Sequence, residues 1–313
     1  MSILKSLIGK TLIINSSLSL IDPNNTTDMI RKLLSAIRAR FSLCILTPLF
    51  SHCFNPLYTL YFNFVFFPFR QAIKFPLFVY GWPKLFSQFG KMECQGACGT
   101  GMIKLNISYS QGPQYSCGNT ELLIWGKIVF KANKKSDYFE IGSGCRINVL
   151  QNGVFVFGAN SKILNACNIT VYNRLTIGEV SRITHRSQVM DSNYHYLADF
   201  NENCVRKHSS PIVIGSYCWI CNSSTITGGA VIPDRVIVSS NSLVTKDMSN
   251  IPEGSVIGGI PAKLLKTGIY KIENVAFENV INDFFIKNPS ALAYDFGTSV
   301  PKSICDYDST DVV

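Results

Sequence analysis

Histidine and cysteine are the side chains whose chemistry works nearest neutral pH. Four histidines occur, His52, His185, His195 and His208. His195 stands in the stretch VMDSNYHYL (189–197), preceded by Asp191 and Asn193. An imidazole makes an effective general base when an acceptor holds its second ring nitrogen. Asp191 is placed in the sequence to be that acceptor, and Asn193 could contact a substrate or hold the turn. His185 is the weaker candidate. His208 follows Arg206 and Lys207 and reads as solvated, and His52 as a packing residue. The eleven cysteines are odd in number and have no disulfide-like spacing. Cys218 and Cys221 form a C-x-x-C, but no second C-x-x-C completes a four-cysteine zinc site. His185, His195 and His208 lack the spacing of a three-histidine site, so no metal is expected. The cysteines read as reduced thiols filling small apolar positions, which points to a reducing cytosol.

The elements that must position these groups are visible as a repeat of period six. Large aliphatics fall at Ile214, Ile220, Ile226, Ile232, Val238 and Val244. Four residues after the first five come Cys218, Ser224, Ala230, Val236 and Ser242, all small or β-branched. The same spacing runs Phe157, Ile163, Ile169 and, after a two-residue slip, Ile177, Ile183, Val189. Ile141 and Ile147 form an earlier, looser pair. Period six is neither a helix nor a long alternating strand. Very short strands joined by sharp corners explain it, with the small residue and the next aliphatic both pointing inward. Three such sides close a triangular coil of eighteen residues. Ile214 then stacks under Ile232, Ile220 under Val238 and Ile226 under Val244. Between Val189 and Ile214 nineteen extra residues leave the coil, and His195 lies near the start of that excursion. Exposed end coils need caps. The N-terminal third covers one end in this reading. A helix over 268–290, carrying Phe277, Val280, Ile281, Phe284 and Phe285 and stopped by Pro289, covers the other.

The chain has 313 residues, 47% apolar and 16% charged, with a net charge of +9. That excludes a disordered protein, and no collagen or coiled-coil repeat appears. Residues 1–100 hold 10 Lys/Arg against 3 Asp/Glu and so carry most of the charge. No signal peptide is expected at the start, since Lys5 and Lys10 break its short apolar stretches. The 29 uncharged residues between Arg40 and Arg70 are long enough to span a bilayer. Pro48, Pro56, Pro68, Asn55, Asn63 and His52 argue against spanning. The segment reads instead as a helical, aromatic-rich cap after a short amphipathic helix over 28–40. Arg31, Lys32, Arg38, Arg40, Arg70, Lys74 and Lys84 could then face an anionic membrane surface. The domains are expected at 1–100 (basic cap), 101–267 (coil, with the excursion at 190–211) and 268–313 (helix and tail).

The hexads resemble the left-handed β-helix, or hexapeptide-repeat, acyltransferases. The match sharpens over 244–266, VTKDMSNIPEGSVIGGIPAKLLK, which is similar to that family's closing segment. Residues 58–104 are similar to the leader of acyltransferases of bacterial polysaccharide loci, where it is a cap. VMDSNYHYL resembles the D-x-[DN]-x-H stretch that carries the catalytic histidine in sugar O-acetyltransferases. The fold implied is a mainly β, left-handed parallel β-helix solenoid with an N-terminal helix/loop cap and a C-terminal helical cap.

The activity implied is direct transfer from acetyl-coenzyme A to a hydroxyl of a glycan, polysaccharide or glycolipid precursor, with His195 as base. The resemblance further implies a homotrimer with sites between subunits, a carbohydrate acceptor and no nucleic acid. Trp219, outward by alternation, would contact donor, acceptor or a neighbouring subunit, and Val231, Ile237 and Leu243 share its outward class. His185 and Asn193 join Trp219 as candidate acceptor contacts. Gly229 would admit the pantetheine arm, amides near Ser239 and Ser240 would hold it, and Lys246, Lys263 and Lys266 would meet the phosphates. Pro261 belongs to the same donor groove. Departures from the family pattern are Cys221-Asn222, Ser239-Ser240-Asn241-Ser242 and Gly259-Ile260-Pro261, which make the groove bulkier. The rival readings are N-acetylation of a nucleotide-linked amino sugar and a non-catalytic scaffold.

Overall fold

A computed structural model describes residues 53–87, 89–108, 118–297 and 301–308. The helix expected over 28–40, with Arg31, Lys32, Arg38 and Arg40, and His52 lie outside the described residues.

From Leu77 onward the chain visits three parallel sheets in rotation, here called the first, second and third walls. The first has nine strands, the second seven and the third six. The register is the one the hexads require. Ile214 pairs with Ile232, Ile220 with Val238 and Ile226 with Val244. Across the two-residue slip the coil is longer, and Ile163 pairs with Ile183 and Ile169 with Val189. Ile177 pairs with Ile214, so the coil resumes in register beyond the excursion.

The hexad also fixes the corners. Tyr217, Ser223, Gly229, Arg235 and Asn241, six residues apart, all have positive φ. Each stands one position before an inward small residue. Left-handed backbone is costly for a side-chain-bearing residue, at about 1–3 kcal/mol. Each corner amide offsets this with a hydrogen bond to the coil below, for instance Tyr217 N to Glu179 O at 2.7 Å and Arg235 N to Ser216 O at 2.8 Å.

The inward column is buried throughout. Its aliphatics fill the C-terminal coils, whereas Phe130, Phe139, Phe155 and Phe157 fill the earlier ones. The earlier coils are also longer, with Ile141 paired to Ile163 and Ile147 to Ile169, which explains why the hexad is looser there. Cys145, Cys167 and Cys218 occupy the small inward positions as buried free thiols. Burial pushes the Cys218 thiol up to about 12 and that of Cys221 up to about 11, so neither is a nucleophile at neutral pH.

The coil starts earlier than residue 101, because strands Leu77–Val79, Lys84–Ser87 and Lys91–Gly96 already belong to the three walls. The apolar segment before them forms a helix, Pro56–Phe66, capped by Asn55. Phe62, Phe66 and Phe67 plug the core at that end. Among the described residues no helix is long and apolar enough to cross a membrane.

At the other end the sequence expectation needs correcting. A helix forms at Val275–Lys287, ahead of Pro289, but none of its residues is buried. Its aromatic side packs on Tyr294 of its own tail, with ring centroids 6.2 Å from Phe277 and 5.1 Å from Phe284. The core is closed instead by Met248 and Ile251. Strand Ala262–Lys266 turns back antiparallel on Val256–Gly259.

Candidate active site

The excursion replaces one corner between the second and third walls. It leaves after strand Gln188–Met190 and returns at Ile212–Ile214. Because the coil resumes in register, its two ends must meet. Ser192 bridges Ser209, and Ser210 N donates to Asp191 O at 2.9 Å. Ala198–Asp199 then pairs antiparallel with Cys204–Val205, so the excursion is a β-hairpin. Its base rests on the next coil at Gly228. A Cβ there would lie 2.8 Å from the Asp191 carbonyl oxygen and 3.1 Å from that of Ser210, so only glycine allows the approach.

The hairpin folds beside the outer face of the second wall and encloses an open cleft of about 960 Å³. Gln188, Met190, Thr225 and Thr227 form its floor, and Asn193, His195 and His208 line it from the hairpin. His195 is exposed, and among the described residues its ring has no hydrogen-bond partner; its backbone N–H donates to Asn193 Oδ1 at 3.3 Å.

Asp191 takes a different part from the one its sequence spacing suggested. Its carboxylate accepts from Tyr172 N and Asn173 N, both at 2.7 Å, in the coil below. It is 1% exposed, and burial holds its carboxyl above the usual aspartate range, against the pull of the backbone donors. Tyr172 and Asn173 are the corner created by the two-residue slip. Asp191 therefore anchors the hairpin to that corner and does not hold the His195 ring.

His208 is the residue that sequence reasoning missed. Its Nδ1 lies 2.8 Å from Ser192 Oγ, which also accepts from Tyr194 N at 3.0 Å. Its ring meets Tyr172 and Tyr196 edge-on, with centroids 4.4 and 4.8 Å away. The charged neighbours Arg206 and Lys207 had suggested a solvated loop. The available signal was that residues just inside the two ends of an in-register excursion must face each other.

The other predicted residues lie elsewhere on the three walls. Trp219 is on the first wall, with the Lys271 ammonium 5.8 Å from its ring centroid. The C-terminal strap provides this cover, held by Arg182–Glu273 at 3.2 Å and Arg235–Asp306 at 2.6 Å. Val231 lies on the third wall, Ile237 on the first and Leu243 on the second, so these residues do not make one apolar face.

His185, Ser239 and Ser240 occupy the edge between the first and second walls, across the second wall from the hairpin. Burial, with Arg186 beside it, holds the His185 imidazole below the usual histidine range. The Ser239 amide is already used, donating to Ile257 O at 2.9 Å, and so cannot hold a ligand. The Ser240 amide makes no hydrogen bond among the described residues. Gly229 shares the hairpin's edge, and a Cβ built on it would meet only Ser210 Cβ, at 3.9 Å. Lys246 stands further along that edge, while Lys263 and Lys266 are on the terminal strand. All three are exposed and without an ion pair among the described residues. Pro261 follows a cis peptide bond at the turn of the terminal hairpin. Among the described residues no group of three or more His, Cys, Asp or Glu could hold a metal ion.

Three parallel walls built from hexads are interrupted once, and the interruption carries a histidine over an open cleft. No family model matches the chain. It is 29% identical over 149 residues to the Escherichia coli K12 protein named "Putative lipopolysaccharide biosynthesis O-acetyl transferase WbbJ", covering 45% of this chain and 72% of that one. Among solved structures it is similar to the polysialic-acid-specific acetyltransferase NeuO, at 20% identity and a TM-score of 0.33, covering 69% of this chain and 89% of that one. It is also similar to the hexapeptide-repeat acetyltransferase VCA0836 of Vibrio cholerae, solved with acetyl-coenzyme A, at 25% identity and a TM-score of 0.30, covering 41% and 64%. The relative matched by sequence is thus named as an O-acetyl transferase, in line with the class that the hexads resemble. By that homology the chain is an acetyltransferase.

Proposed function

We infer that the chain transfers an acetyl group from acetyl-coenzyme A to a hydroxyl of a sugar unit in a glycan, polysaccharide or glycolipid precursor. The observation that carries this reading is the hairpin cleft, where an exposed imidazole lines a space large enough for a sugar beside an open corner at Gly229. A sugar hydroxyl is a weak nucleophile at neutral pH, and a thioester supplies activated acyl carbon. His195 takes the hydroxyl proton as the oxygen attacks the thioester carbonyl. The carbon–oxygen bond forms, the carbon–sulfur bond breaks, and the departing thiolate recovers a proton. No acyl-enzyme is needed, in keeping with the raised thiols of Cys218 and Cys221.

The donor fits the residues at the same edge. Gly229 leaves room for a narrow arm, and Lys246 offers a cation without an ion pair among the described residues for a phosphate. Lys263, the Ser240 amide and Pro261 lie towards the opposite edge of the second wall, and Lys266, which pairs with Val256, lies further back along the first wall. The second wall is about 15 Å wide at ~3.3 Å per strand residue, a distance that an extended coenzyme can cross. In this reading the coil winds left-handed and three copies assemble around a common axis, bringing walls of adjacent copies together.

The test is acetyl transfer by the purified chain, read as thiol release and as the mass gain of one acetyl group on the acceptor. Offering surface polysaccharide and a nucleotide-linked amino sugar side by side separates O- from N-acetylation. His195→Ala is expected to lower turnover by about two to four decades with acetyl-coenzyme A binding retained. Activity within tenfold of wild type would remove His195 from the role of base. Transfer only to the amino sugar would overturn the hydroxyl acceptor.

A further inference from the structure

The helix Pro56–Phe66 turns its polar side chains inward beside Phe62 and Phe66 and leaves an apolar face outward. Strand Leu77–Val79 is the edge of the first wall, and an open edge needs partners for its backbone groups. The helix supplies them from its polar side chains. Thr59 Oγ1 accepts from Val79 N at 3.0 Å. Asn63 accepts from Leu77 N at 3.2 Å and donates to Leu77 O at 2.7 Å. Asn55 donates to Gly81 O at 2.8 Å.

With the polar residues turned inward, Leu57, Leu60, Tyr61 and Phe64 form an outward stripe at helical spacing. All four are exposed, Leu57 at 71%. Phe69 continues the stripe, its ring 6.3 Å from that of Phe64 and 71% exposed. Arg70 and Lys74 follow at once, neither in an ion pair among the described residues. No Asp or Glu occurs between Asp28 and Glu93.

We propose that this face docks the protein on an anionic bilayer, with the helix lying in the interfacial layer. At 11 residues the helix is about 16 Å long, which suits lying in the plane and is too short to cross it. An apolar, aromatic stripe rimmed by cations and free of acids is complementary to acyl chains beneath anionic headgroups. The inference goes beyond acetyl transfer and does not depend on it.

The experiment is flotation of the full chain with vesicles of phosphatidylcholine alone and with about one-third phosphatidylglycerol. The anionic vesicles are expected to float the wild type and the neutral ones to float it far less. Leu60→Glu with Phe64→Glu is expected to reduce the bound fraction at least tenfold, and Arg70→Gln with Lys74→Gln by about tenfold or more.

If the glutamate variant is unstable, Trp82, whose ring lies 5.3 Å from that of Tyr58, reports on the unaltered helix face. Brominated phosphatidylglycerol is then expected to quench Trp82 in a chain with Trp125→Phe and Trp219→Phe. A wild type that stays with the soluble fraction, an unquenched Trp82, or a stable glutamate variant that floats like wild type would overturn the proposal. So would a chain that never floats but whose self-association the glutamate variant abolishes, which would assign the face to a second copy.

Discussion

His195 and His208 reach one cleft by different means. His195 projects from the hairpin with no ring hydrogen bond among the described residues, whereas His208 is fixed by Ser192 and two tyrosine rings. The sequence located His195 through its motif, but it misread Asp191. Four residues of spacing in a loop suggested a local contact with the histidine. The stacking of coils put the Tyr172 and Asn173 amides beneath Asp191 instead, and a carboxylate satisfies exposed N–H groups before it reaches a flexible ring. Asp191→Ala is therefore expected to destabilise the protein by ~1–3 kcal/mol, the cost of leaving those amides without their acceptor. Urea unfolding measures it, and a loss below ~0.5 kcal/mol would contradict the anchoring role. The pH dependence has a defined sign. The folded carboxyl sits above its ordinary value, so the folded chain binds that proton more tightly than the unfolded chain. The corresponding stability is full below about pH 3.9, the ordinary aspartate value, and is lost as pH rises through the folded value. Asp191→Asn should lack that loss.

At the scale of elements, the hairpin supplies the candidate site that the three walls alone lack. Its position depends on Gly228, where a Cβ would collide with two backbone oxygens of the hairpin base. Gly228→Ala is expected to lower kcat/KM at least tenfold by displacing the hairpin, since misplacement of about 1 Å can cost that much or more. Full activity in this variant would mean that the base is not held where the structure puts it. The sequence showed the excursion's length and its two ends, because the hexads stop at Val189 and resume at Ile214. It did not show the strap. The helix stopped by Pro289 was legible from its pattern, but an amphipathic stripe does not say what it packs against. Arg182 and Glu273 are far apart in the chain, and only the fold pairs them over the first wall.

For the whole molecule, the repeat was legible because every inward position obeys one rule. Ile220 under Val238 and Ile226 under Val244 follow from period six alone. The start of the coil was obscured because the first coils are much longer than eighteen residues, with Leu77 paired to Ile103 and Lys91 to Lys127, so no hexad register runs through them. The proposed assembly predicts a solution mass three times the 34.8 kDa of the chain, read by light scattering during size exclusion. A monomer at working concentration would contradict it.

The most direct measurement is an experimental structure of the chain with coenzyme A and an acceptor sugar bound. The account predicts the coenzyme sulfur and the acceptor hydroxyl in the hairpin cleft, with that hydroxyl about 3 Å from the His195 ring. A coenzyme seated away from the hairpin, or a sugar that does not touch this cleft in any copy, would contradict it.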